Sequence, residues 1–112
     1  MESQRQQKVA RLLQKEMGDY LQQNGREILP GKLITVTVVR VSPDLGVAKV
    51  YLSIFPLKED EDPIKGIQAH ASKIRHEIGQ KIRNQVRAIP EFVYYLDDSL
   101  DYIDRIDNLL KE

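Results

Sequence analysis

Residues 67–96 carry two apolar repeats in series, first with the period of a helix and then with that of a strand. Ile67, Ala71, Ile74, Ile78, Ile82 and Val86 recur at spacings of three and four, which places them on one face of a single continuous helix. At roughly 100° per residue, Lys65, Lys73, His76, Arg83 and Arg87 collect on the opposite face. Arg75 and Lys81 flank the apolar stripe on stems long enough to reach outward. Pro90 is the predicted end of this helix, because it has no N–H to donate and pushes Ile89 out of the helical region. Phe92, Val93, Tyr94, Tyr95 and Leu96 then read as a strand.

The rest of the chain supplies partners for this unit. Residues 4–23 form a predicted helix with Val9, Leu12, Leu13, Met17, Tyr20 and Leu21 on one stripe and Lys8, Arg11 and Lys15 opposite. Asn24 and Gly25 read as its stop, and Pro30-Gly31 as a turn. Leu33–Val41 is a strand by its β-branched density, with Ile34, Val36 and Val38 on one side and Thr35, Thr37 and Val39 on the other. Turn residues SPDLG at 42–46 lead into a second strand, Val47–Phe55, and the two read as an antiparallel hairpin. Its wet face is expected to carry Thr35, Thr37, Lys49 and Ser53, with Tyr51 packing there and base stacking as the alternative role. Pro56 breaks the strand, EDED at 59–62 makes an acidic connection, and helix resumes near Ile64. The expected class is α+β, in the order α-β-β-α-α-β, as one domain over residues 1–112. Residues 97–112 form an acidic tail with a short helix starting at Asp98 or Ser99.

Charge is informative in its distribution. The 112 residues carry no net charge, with 17 Lys and Arg against 17 Asp and Glu, yet residues 65–90 hold six cations against Glu77 alone. Residues 91–112 hold seven acids against Arg105 and Lys111. A basic stripe with so few acids points to phosphate contacts rather than an ordinary solvated face. The absence of Cys fits a reducing compartment. With no apolar run long enough for a signal or a membrane span, a cytoplasmic protein is expected.

No catalytic residue, metal, cofactor or small-molecule substrate is predicted. His70 and His76 diverge by roughly 120° on a straight helix and have no carboxylate at ligand spacing. Asp97 and Asp98, just before Leu100 and Ile103, suit a helix N-cap better than acid–base chemistry.

RHEIGQKIRNQVRAIPEFVYYLDDSLDYIDRIDNLL, residues 75–110, looks like the C-terminal signature of the ribosome-binding factor A family, in which a helix, a proline turn, an aromatic strand and a DDS-type cap follow in this order. VVRVSPDLGVAKVYLSIF, residues 38–55, resembles that family's hairpin, so the similarity covers nearly the whole chain. The resemblance implies a type II K-homology-like fold, a three-stranded sheet covered by helices, with a helix–kink–helix in place of the Gly-x-x-Gly clamp. Gly18, Gly25, Gly31, Gly46, Gly66 and Gly79 are indeed never three apart. The family's kink, usually Ala-x-Gly, aligns with Ala71, Ser72 and Lys73, so a cation replaces the glycine.

Without a clamp, RNA contact would rest on side chains reaching phosphates, which favours shape over base sequence. The expected set is Lys8, Arg11, Lys15, Lys65, Lys73, Arg75, His76, Lys81, Arg83 and Arg87. A monomer is expected, and the resemblance further implies that it binds the small (30S) ribosomal subunit through its 16S RNA and assists its late maturation and precursor processing, above all in the cold. The alternative is a protein-binding or dimerising module whose basic helix face meets an acidic partner.

Overall fold

Ser3 starts the first helix. In the computed structural model, which describes residues 3–58 and 60–97, its hydroxyl accepts from the Gln6 N–H at 3.2 Å and the Gln6 side chain accepts from the Ser3 N–H at 2.7 Å. This reciprocal cap opens α1 (Gln4–Ile28). The helix runs through Gly25, past the predicted stop. Gly25 is buried and helical, and a Cβ there would make an ordinary contact 3.9 Å from Ile34 Cδ1, so this glycine neither stops the helix nor is demanded by close packing. The actual break follows at Pro30-Gly31, where Gly31 takes φ 77°.

β1 (Leu33–Val41) and β2 (Val47–Phe55) pair antiparallel, and β3 (Glu91–Leu96) pairs parallel to β2, giving the order β1-β2-β3. Ser42 and Asp44 shape the connecting turn: Ser42 Oγ accepts from the Val47 N–H, and Asp44 Oδ1 accepts from Ser42 Oγ at 2.6 Å and from the Gly46 N–H. Leu45 occupies the left-handed region there at φ 61°.

β1 departs from strict alternation. Ile34 and Val36 face the core as expected, but Val38 is exposed and Val39 and Val41 are buried. The register shifts between Val36 and Val38, so the extra residue of a bulge exchanges the faces of everything after it. Gln14 Nε2 donates to the carbonyl of Thr37 in the bulge, and Gln6 Nε2 donates to the Val41 carbonyl at 2.8 Å. Two side chains of α1 thus satisfy acceptors along the edge strand. Ser53, expected on the wet face, is buried, since a short side chain on the central strand is walled in by its neighbours. Tyr51 packs on that face against Tyr95, with ring centroids 5.3 Å apart.

The predicted continuous second helix is two helices, α2 (Pro63–Ala69) and α3 (Ala71–Ile82). Pro63 occupies the first turn of α2, where its missing N–H costs nothing. The chain bends at His70, at φ −107° and ψ 11°, one residue before the Ala71, Ser72 and Lys73 named for the kink. The bend lets α2 press onto the end of α1: a Cβ on Gly66 would come within 2.5 Å of Leu29 Cδ2. α3 stops at Ile82, well short of Pro90, and residues 83–90 return across it as an irregular segment. Asn84 and Val86 are weak helix formers, and Ile89 finds its packing against Gly79 instead. Pro90 is buried and leads directly into β3.

Ile67, Ile74, Ile78 and Ile82 are fully buried with Leu13, Met17 and Leu21 of α1 against the inner face of the sheet. Each such side chain contributes about 1.5–3 kcal/mol. The helices lie on this face alone among the described elements, and the outer face carries the exposed Leu33, Val38, Phe55 and Tyr95. The tail helix expected from Asp98 or Ser99 onward lies outside the described residues.

Candidate nucleic-acid interface

Residues 83–90 form a ridge between two clefts. The larger, of about 720 Å³, is lined by Arg5, Lys8, Val9 and Leu12 of α1, by Asp44 and Leu45 of the hairpin turn, and by Val86 and Arg87 of the ridge. The smaller, of about 550 Å³, is lined by Ser72, Arg75, His76, Gly79 and Gln80 of α3 together with Arg83 and Ile89.

The bend at His70 and the early end of α3 redistribute the cations that a single helical wheel gathers onto one face. Arg83 caps α3 and turns into the smaller cleft, while Arg87, beyond the helix, enters the larger one. Lys8, predicted on the face of the first helix, lines the same cleft as Arg87. Arg5 joins them and was not among the predicted residues. The only sequence signal for it is the Ser3-x-x-Gln6 cap, which fixes the helix start and hence the first turn on which Arg5 and Lys8 sit. Nothing local links either residue to Arg87.

Of the other predicted residues, Arg75 and His76 line the smaller cleft with Arg83, and the rest lie apart. Arg11 and Lys15 are exposed on α1 and line neither cleft, and Lys65 on α2 and Lys81 in the last turn of α3 are exposed elsewhere. Lys73 lies 3.7 Å from Glu27 of α1, both largely exposed, a geometry that contributes little to stability. His76 Nε2 lies 3.2 Å from Gln80 Nε2 across one helical turn. Arg75 donates from Nη2 to the Ile89 carbonyl at 2.9 Å and, through a longer contact of 3.4 Å, from Nε to the Pro90 carbonyl.

Asp44 is the acid in the larger cleft, and its charge is locally engaged. Hydrogen bonds from the Ser42 hydroxyl and the Gly46 N–H hold its carboxyl below the usual Asp range. Around it, Arg5, Lys8 and Arg87 bring cationic side chains to a cleft also lined by the apolar Val9, Leu12, Leu45 and Val86. Such an arrangement can hold a polyanion by charge and shape.

Comparison with known proteins gives this arrangement a lineage. The family model described as Ribosome-binding factor A matches residues 5–110. A ribosome-binding factor A from Cytophaga hutchinsonii is 50% identical over 113 residues, spanning all of this chain and 84% of the relative. One from Christiangramia forsetii is 48% identical over 98% of this chain and 85% of its own. Among solved structures, the crystal structure of ribosome-binding factor A from Thermus thermophilus superposes with a TM-score of 0.67 at 20% identity, covering 81% of this chain and 94% of its own. A homology model of the Thermus factor, fitted into a cryo-EM map of its complex with the 30S subunit, gives 0.59 at 19% identity, covering 78% and 93%. At these identities the structures speak for the fold, whose order α-β-β-α-α-β fits a type II K-homology-like arrangement. The family match and the close relatives, which extend over both clefts, make this chain a member of the ribosome-binding factor A family.

Proposed function

We propose that this protein binds the small ribosomal subunit through its RNA, with the ridge at residues 83–90 and its two clefts as the contact surface, and so assists late maturation of that subunit. The observation that carries the reading is the gathering of Arg5 and Lys8 with Arg87, some eighty residues later in the sequence, around one cleft. Family membership supports it, as does the complex of the Thermus relative with the 30S subunit.

The mechanism is binding without chemistry. Lys and Arg heads reach phosphates and release their counterions, which supplies affinity and little base discrimination. Two clefts held at a set separation select one arrangement of folded RNA over its competitors. Binding therefore shifts the RNA population toward that arrangement and favours trimming of the precursor ends. Affinity is correspondingly lower for mature, translating ribosomes.

The test is Arg83→Glu combined with Arg87→Glu in the full chain. Binding to small subunits should weaken broadly, and its dependence on salt should flatten, at unchanged thermal stability. Full affinity of the folded double variant would move the site elsewhere. Depletion in cells should leave small subunits scarce and their RNA with unprocessed ends, most severely in the cold; normal processing at low temperature would reject the maturation role.

One observation favours a second reading, a protein partner. Leu33 and Phe55 face each other across the strand pair and are 60% and 71% exposed. Phe55→Asp would abolish such an interaction while leaving RNA binding intact.

A further inference from the structure

The ridge that carries Arg83 and Arg87 has no regular secondary structure, so something else must fix its course. The Arg83 N–H donated to the Gly79 carbonyl starts it, the Glu91 N–H donated to the Gly46 carbonyl ties its end to the hairpin turn, and three further contacts tie it to α3. Gln85 and Val86 donate their N–H groups to the Ile82 carbonyl, which continues one turn past α3. Ile89 packs on Gly79, where even a methyl group would stand 3.4 Å from Ile89 Cγ1. Arg75 reaches from α3 to the Ile89 and Pro90 carbonyls. Of these, only Arg75 bonds the far end of the ridge back to the helix through a charged donor.

We propose that Arg75 is a positioning residue rather than a phosphate contact: its guanidinium pins the end of residues 83–90 to α3 and thereby sets the separation of Arg83 in one cleft from Arg87 in the other. The inference rests on the RNA-binding reading above and gives one of its cations a different role. Arg75 suits the task because the planar fork presents donors in fixed directions that two successive carbonyls can share. A lysine ammonium, a point charge on a flexible stem, cannot hold both in the same way. Pinning matters because a protein that recognises shape discriminates through the spacing of its contacts. A ridge free to move would still meet phosphates of a flexible strand, but would lose its preference for a rigid, folded RNA.

Arg75→Lys and Arg75→Ala in the full chain separate the two roles. Each variant is titrated between about 50 and 200 mM salt against purified small ribosomal subunits and against an unstructured RNA oligonucleotide of mixed sequence. If Arg75 positions the ridge, both variants lose about tenfold in affinity for the subunit, the scale of a charged hydrogen bond. Both keep the wild-type affinity for the oligonucleotide within about twofold and the wild-type salt slope, because no phosphate contact has gone. Amide hydrogen exchange in residues 84–89 speeds up in both.

A direct phosphate contact predicts the reverse. Arg75→Ala would flatten the salt slope by about 0.7–0.9, and Arg75→Lys, which keeps the charge, would bind like the wild type. Either result overturns the proposal, as does an equal loss on both RNAs or no loss on either. Thermal unfolding identifies a variant that fails to fold, and the lysine variant, which keeps charge and most of the stem, then decides alone. The Arg83→Glu, Arg87→Glu double variant run alongside keeps the failures distinct. If it binds subunits normally, the RNA reading itself has failed; if it does not and Arg75→Lys binds normally, only the positioning role has.

Discussion

Gly18 and Gly31 show how the same atom group changes sign with backbone conformation. Gly18 lies inside α1 with open space where a Cβ would go, so Gly18→Ala should stabilise the fold by about 0.5–1 kcal/mol through helix propensity. Gly31 also has open space, but its φ of 77° is strained for an L side chain, and Gly31→Ala should destabilise by about 1 kcal/mol. Urea unfolding of the two single variants checks both. Tyr94 is the residue whose chemistry fits its place least. Its ring is buried against the helices, and its hydroxyl finds no hydrogen-bond partner among the described residues. Burial, with Tyr20 adding, pushes its ionisation far above the usual tyrosine value. The folded state therefore keeps a proton that the unfolded chain releases near pH 10, and stability falls as pH rises past that point. Tyr94→Phe should gain about 1 kcal/mol at neutral pH and make the alkaline decline shallower, as thermal melts from pH 7 to 11 would show.

Between elements, polar side chains of α1 do for the edge strand what another strand would otherwise do. Gln6 closes the helix cap with Ser3 and at the same time donates to the Val41 carbonyl, so it couples the start of the helix to the end of β1. Gln6→Met keeps the volume and leaves a buried carbonyl without its donor, and should cost about 1–3 kcal/mol in equilibrium unfolding. The cap was open to prediction from Ser3-x-x-Gln6; the bond to Val41 was not, since no local rule relates two residues on different elements. The bulge at Thr37 belongs to the same class. Alternation in the sequence breaks at the doubled Val38-Val39, but only the pairing with β2 shows which residue is extra.

For the molecule as a whole, the decisive event is the return of residues 83–90 over α3, which assembles the larger cleft from segments far apart in the chain. If Arg5 and Arg87 hold one polyanion together, Arg5→Glu and Arg87→Glu should be non-additive in RNA affinity, while Arg5→Glu and Arg83→Glu, in different clefts, should add. A double-mutant cycle measured at one salt concentration distinguishes the two. Periodicity and turn chemistry were enough to place all three strands, the antiparallel hairpin and the α+β class, because each depends on residues a few positions apart, while the family was legible through the resemblance of residues 38–55 and 75–110 to its motifs. The break at His70 and the stop at Ile82 were not legible, because each was decided by packing partners distant in sequence: Leu29 against Gly66 and Ile89 against Gly79. The basic character of residues 65–90 was likewise written in the sequence. Which of those cations face each other was not, because a helical wheel assumes a straight helix, and tertiary contacts bent it once and ended it early.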